Sequence, residues 1–132
     1  MSTARVALSE RLAGDSQLNA LGINAASIFN ANDVDSPEAR PFVIIVWGDE
    51  ARPFGGAGRR SVSVWAHDAG TSYQVIDQIL SRVQELIDSS VHITGTDGSR
   101  ISVFNYQGSS GDLVDDGYGT VTRYASWEAL PH

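Results

Sequence analysis

The sequence predicts an α+β fold: a mixed, mainly antiparallel sheet with one long amphipathic helix and a short N-terminal helix packed on it. Three observations carry this reading. Between Thr71 and Asp88 the apolar residues Val75, Ile76, Ile79, Leu80, Val83, Leu86 and Ile87 recur at the helical period. Two strand patterns precede that segment and further strand patterns follow it. The order strand, strand, helix, strand, strand, with a last strand after it, completes a sheet with the helices gathered on one side. With 132 residues the chain has the size of a single domain, and residues 1–132 are expected to form one.

Taken in order, Thr3 to Ala13 places Ala4, Leu8 and Leu12 at helical spacing, with Arg5, Ser9, Glu10 and Arg11 left for the wet side. Asp15 is positioned to cap a further turn through Leu18 and Leu21, which Gly22 can end. Asn30 to Arg40, polar and interrupted by Pro37, reads as a surface loop. Pro41 to Trp47 is a continuous apolar run rich in β-branched residues, as expected of a central strand covered on both faces. From Ser61 to His67 the pattern alternates, Val62, Val64 and Ala66 facing one way and Ser61, Ser63, Trp65 and His67 the other. Between these strands Arg52 to Arg60 is a glycine-rich connection whose ends can pair as a long hairpin, with Gly55, Gly56 and Gly58 as a candidate flexible loop.

In the long helix, Thr71 and Gln74 have the spacing of a capping box, and Asp77, Gln78, Ser81, Arg82 and Glu85 lie opposite the apolar stripe. Burial of that stripe stabilises by roughly 1.5 to 3 kcal/mol per large side chain before entropy is subtracted. Val91 to Thr94 and Arg100 to Tyr106 read as strands joined by a hairpin at Gly95-Thr96-Asp97-Gly98. Gln107 to Gly119 reads as a flexible acidic stretch. A last strand, Thr120 to Trp127, sets Val121, Arg123, Ala125 and Trp127 against Thr120, Thr122, Tyr124 and Ser126.

The formal net charge of −7 repels phosphate backbones, so sequence-specific nucleic-acid binding is not expected. All nine basic residues are arginine, whose planar fork suits interface ion pairs, although arginine for lysine also follows from a GC-rich genome. Without cysteine the chain has neither disulfides nor thiolate metal sites. No apolar run is long enough to span a bilayer and residues 1–12 lack the apolar centre of a secretory signal, so the chain is expected to be made in a cytoplasm with no membrane partner.

No catalytic centre is visible. His67, His92 and His132 lack the spacing of a metal site and read as structural or incidental. Gly55-Gly56-Ala57-Gly58 has neither the lysine nor the hydroxyl of a phosphate-binding loop, and it leads into a strand instead of a helix. Asp112, Asp115 and Asp116 miss the alternating acidic positions of a calcium loop and read as a solvated acidic loop. No serine stands in a nucleophile-elbow context. No catalytic, metal or cofactor-binding residue is assigned, no cofactor is expected, and enzymatic activity is not expected.

The order of elements resembles the tail terminator (tail completion) family of long-tailed bacteriophages. The likeness runs from Ala7-Leu8-Ser9-Glu10-Arg11-Leu12-Ala13-Gly14-Asp15, through Pro41-Phe42-Val43-Ile44-Ile45-Val46-Trp47, to Ser61-Val62-Ser63-Val64-Trp65-Ala66-His67, then Tyr73, the long helix and Arg123-Tyr124. It departs from the family pattern in its Gly95 to Arg100 hairpin and its long acidic stretch. The resemblance implies a structural virion protein at the head-proximal end of the tail. It would form a homo-oligomeric ring, commonly a hexamer, stacked on the tail-tube protein and facing the head-completion or connector protein. DNA would pass through the lumen without specific binding, which an acidic wall would favour. A neck or head-closure protein of the same assembly is the near alternative.

For subunit contacts the candidates are Arg52, Arg59 and Arg60 of the glycine-rich hairpin with Asp112, Asp115 and Asp116 of a neighbour, since flexible segments of opposite charge can order across a boundary. Simple exposure of both loops is an equal reading. A different class, a small-ligand or peptide-binding α/β module, would use Trp65, Tyr73 and Tyr106 to line a pocket, though core packing accounts for aromatic residues as well.

Overall fold

The computed structural model describes residues 4–30, 40–51, 59–69, 73–88, 93–98 and 100–131. The N-terminal helix α1 (Ala4–Ala13) buries Ala7, Leu8 and Leu12 along one side. Asp15 then caps α2 (Ser16–Ala20) as expected, its carboxylate accepting from the Leu18 backbone N–H at 2.9 Å. Gly22 follows at φ 94°, a left-handed turn that ends the helical segment and favours glycine. A 3₁₀ turn at Ala25–Ser27 leads into β1 (Ile28–Asn30), a short strand that the sequence reading does not assign and whose last residue, Asn30, it places in a loop.

The remaining elements are β2 (Phe42–Ala51), β3 (Arg59–Asp68), α3 (Gln74–Asp88), β4 (Ile93–Thr94), β5 (Arg100–Ser109), β6 (Leu113–Asp115) and β7 (Thr120–Pro131). They build one mixed sheet in the order β1-β2-β3-β7-β5-β4, with β6 also pairing β7. Only the β1–β2 pairing is parallel among these strands. The α+β class, the long helix on a mainly antiparallel sheet and the β2–β3 and β4–β5 hairpins all agree with the sequence reading.

Alternation along the strands separates the two faces of the sheet. Val43, Ile45 and Trp47 of β2 lie beside Val62, Val64 and Ala66 of β3, which in turn lie beside Ala125 and Trp127 of β7. These residues join Leu8, Leu12, Leu18, Ile76, Ile79, Val83 and Ile87 of the helices in one hydrophobic cluster. All three helices therefore pack on the same face. The two-sided burial expected of Pro41 to Trp47 holds at Phe42, which is wholly buried on the face away from the helices, and is incomplete beyond it. Helices cover only one face of β2, and Ile44 and Val46 on the other are half-buried. Nor is β2 central, because β7 inserts between β3 and β5 and makes β3 and β7 the middle of the sheet.

The acidic stretch also differs from expectation. Residues 107–119 are not a free loop: β5 continues to Ser109, and β6 forms within the stretch by pairing Leu113, Val114 and Asp115 with Thr122, Val121 and Thr120. The capping-box residue Thr71, the strand residues Val91 and His92, and His132 lie outside the described residues, as do Gly55, Gly56 and Gly58.

Candidate functional site

The acidic segment is built up from β7. Beside Tyr106 and Gly108 the register of β5 against β7 shifts, and Gly108 takes a φ of 133°. The chain then stays attached: the Ser110 N–H donates to the Tyr124 carbonyl at 2.9 Å, and the Tyr124 N–H donates to Ser110 Oγ at 3.0 Å. Arg123 donates through Nε and Nη2 to the Ser110 carbonyl at 3.2 and 3.0 Å and pairs with Asp77 of α3. Its Nε lies 3.8 Å from Asp112. At the far end Asp115 Oδ1 accepts from the Tyr118 N–H at 3.0 Å and closes the turn into β7, with Gly119 at φ 67°. Tyr73 donates its hydroxyl to the Leu113 carbonyl at 2.8 Å.

Beneath that turn, on the face away from the helices, lies an aromatic group. His67 stacks on Phe42 with ring centroids 4.7 Å apart, and Tyr118 meets both rings edge-on. Phe29 of β1 packs edge-on against Phe42 from the other side. Arg40 lies over the Phe42 ring and donates to the Tyr118 carbonyl at 3.1 Å. His67 Nδ1 is 2.8 Å from Thr120 Oγ1. Burial pushes the His67 imidazole down to about 4; Asp115 opposes this and Arg40 adds to it. A neutral, stacked histidine at 2 % exposure is a structural one, consistent with its incidental reading in the sequence.

On the opposite side of the molecule Arg60 donates through Nε and Nη2 to the Gly48 carbonyl, at 3.2 and 3.1 Å, and lies over the Trp47 ring. That carbonyl belongs to an irregularity between Trp47 and Glu50, where the β2–β3 register shifts. Arg59 is paired with Ala51 at the end of the ladder, and Arg52 lies outside the described residues.

The six interface candidates are thus kept apart within one chain. Arg60 sits across from Ala129 and Asp115 across from Thr120, nine positions apart on β7, or about 30 Å of extended strand. Arg60, Asp112 and Asp115 are each already engaged locally, while Asp116 is exposed.

The three aromatic residues suggested for a ligand pocket do not share one. Trp65 lies tilted against Tyr124 on the face away from the helices, Tyr106 packs beside Trp127 on the helix face, and Tyr73 is turned to Leu113. Strand alternation separates the first two, since Tyr124 and Trp127 project from opposite faces of β7. Among the described residues the helix side carries a recess of about 480 Å³ along α2 and α3 and another of about 260 Å³ between α3, Tyr106 and Arg123. Gln17, Asp77, Arg82 and Glu85 rim the first, whose wall is mainly apolar, and Asp77, Gln84 and Arg123 rim the second. Among the described residues no group of three or more His, Asp or Glu side chains is placed to hold a metal ion. No described helix is long and apolar enough to cross a membrane.

The residues that sequence reasoning passed over are Leu113 and Val114. They are 38 % and 69 % exposed on the outer edge of the sheet. Two adjacent apolar residues inside an otherwise acidic and glycine-rich stretch were the available signal.

With this geometry in place the chain can be compared with known proteins. No family model and no curated protein matches it. Among solved structures it is similar to a chain of the "Virion of native gene transfer agent (GTA) particle", with a TM-score of 0.70 and 12% identity, covering 94% of this chain and 90% of that one. At that identity the likeness establishes a shared fold.

Proposed function

We propose that this chain is a structural virion protein of a long-tailed bacteriophage or phage-like particle. It forms a ring, of six copies in the favoured arrangement, that caps the tail tube at its head-proximal end and joins it to the head connector. The observation that carries the proposal is the fold shared over nearly the whole chain with a protein of a gene transfer agent virion. The likeness of element order to tail terminators, from the N-terminal helix to Arg123-Tyr124, supports the finer assignment. A neck or head-closure protein would satisfy the same observations from one position further toward the head.

The geometry supports assembly over catalysis. The arginines at the end of the β2–β3 hairpin and the aspartates around β6 lie too far apart to meet within one chain, yet two copies can bring them together. Neither a reaction nor a cofactor is part of the proposal. The ligand-binding alternative is disfavoured because Trp65, Tyr73 and Tyr106 are dispersed. In a ring, a net charge of −7 per copy lets DNA slide through the lumen without sticking, provided the acidic surface faces inward.

The test is mass by light scattering with and without purified tail tubes, followed by imaging of the tube ends. A cap of this protein at one end with tube growth arrested supports the terminator role. Binding to the head connector with no effect on tubes moves the assignment to the neck, and a monomer indifferent to both rejects it.

A further inference from the structure

The helical layer does not cover the sheet evenly. α3 rests on β3 and β7, and α1 on β4 and β5. Between α3 and the second half of β5 lies the recess of about 260 Å³, with buried Leu80 and Ala125 at its floor. Strict alternation would send Tyr106 and Ser109, three positions apart, to opposite faces of the sheet. The register shift between Tyr106 and Gly108 changes that: Tyr106 comes to lie beside Trp127 and Ser109 beside Ala125, so both turn to the helix side and line the recess.

The side chains there are chemically mixed and largely uncommitted. Tyr106, 44 % exposed, forms one wall. Arg123 and Asp77 are paired with each other, so together they bring no net charge. Arg123 sends Nε and one N–H of Nη2 to the Ser110 carbonyl and one N–H of Nη1 to Asp77 Oδ1, which leaves a second N–H on each terminal nitrogen. Asp77 Oδ2 is left over among the described residues. The Ser81 and Ser109 hydroxyls, the Gln84 amide and the Tyr106 hydroxyl make no hydrogen bond among the described residues either. A purely apolar ligand would strand these groups, and a charged one would find the pair already neutralised. What fits is a neutral ring with an apolar face for Tyr106 and hydroxyls around its rim, each able to donate and accept. The volume lies below the about 300 Å³ at which pockets for drug-sized ligands begin, and it suits one such ring.

We infer that this recess binds one neutral pyranose, as a free sugar or as a single residue of a glycan. Tyr106 is the platform for the ring face, and the Arg123–Asp77 pair holds adjacent hydroxyls, one donating to Asp77 Oδ2 and its neighbour accepting from the guanidinium. The site uses Tyr106 without Trp65 or Tyr73, so the dispersal of those three does not bear on it. Nor does it depend on the ring reading, since every group belongs to one chain.

The test is a titration of the isotope-labelled chain with the methyl pyranosides of glucose, galactose, mannose and N-acetylglucosamine, followed by amide chemical shifts. At least one probe is expected to move residues 77–84, 106–109 and 123 together and to saturate with a dissociation constant on the order of 1 mM. Tyr106→Ser should raise that constant about tenfold, and Tyr106→Phe, which keeps the ring face, should leave it within about threefold. Unmoved amides elsewhere in the chain report that both variants keep the fold. An oligosaccharide of the same sugar separates the sources: tighter binding assigns the recess to a glycan and equal or weaker binding to a free sugar, and either supports a pyranose site. No saturable shift from any of the four sugars overturns the inference, as does a response that Tyr106→Ser leaves unchanged. Saturation by acetamide without a response to sugars also overturns it, by assigning the recess to an amide side chain of a partner protein.

Discussion

Arg82 grips Asp15 with two hydrogen bonds, Nε to Oδ2 at 3.0 Å and Nη2 to Oδ1 at 2.8 Å, joining the start of α2 to the middle of α3. The same carboxylate caps α2 through the Leu18 N–H. The Arg82 hydrogen bonds hold the Asp15 carboxyl below its ordinary value, against the opposing effect of burial, and the Leu18 bond adds to the lowering. Asp15→Asn retains an N-cap oxygen and loses the ion pair, whereas Asp15→Ala loses both and costs about 1 kcal/mol more for the cap. Urea unfolding at neutral pH measures the difference. Because the folded pKa is depressed, this contribution is present above 3.8 and disappears as pH falls through the folded value.

His67 gives a separate acid response. Folding holds it neutral down to about 4, against an ordinary value of 6.5, so the unfolded chain takes the proton first as pH falls. Stability contributed at neutral pH is therefore lost between 6.5 and 4, by up to about 3 kcal/mol. In His67→Phe the urea midpoint should change less between pH 7 and pH 4.5 than in the parent chain. Equal slopes for the two proteins would mean that the imidazole does not titrate differently on folding.

Trp127 is wholly buried between the helices and the centre of the sheet. Trp127→Ala is expected to cost about 3 to 5 kcal/mol, enough to unfold a marginal chain, and Trp127→Phe markedly less. Thermal unfolding followed by circular dichroism separates the two.

Gly119 closes the β6–β7 turn at φ 67° with open space where a Cβ would stand. Its replacement is therefore a question of backbone conformation and not of collision. Gly119→Val should cost about 1 kcal/mol or more and Gly119→Asn much less, since asparagine tolerates the left-handed region. Amide exchange at residues 113–115 should quicken in the valine variant ahead of any change in α3.

Much of this architecture was legible in the residues. The stripe from Val75 to Ile87 announces α3, the alternation from Ser61 to His67 announces β3, and Asp15 announces its own cap. What escaped was set by partners distant in sequence. Ile28-Phe29-Asn30 is too short to show a period and becomes a strand only by lying parallel to Val43, Ile44 and Ile45. Leu113-Val114-Asp115 is likewise too brief to declare itself, and it is ordered by β7 and Tyr73. The burial of His67 depends on Thr120 and Tyr118, contributed by a turn some fifty residues later. The separation of the arginine and aspartate groups follows from the register of β7, which composition and period do not encode.

The central place of β7 also bears on how the chain is made. Within the sheet, residues 59–68 and 100–109 are joined through β7, a strand that leaves the ribosome after both. Until then a nascent chain has one hairpin at β2 and β3 and another at β4 and β5, joined through the helical layer and not yet through a shared strand. Such non-local closure is slow relative to hairpin formation. The β6 edge does not exist before it, because β6 is a strand only where β7 supports it. A chain cut short before Thr120 therefore lacks the ladder that orders Leu113, Val114 and Asp115, and the acidic stretch is left without its template.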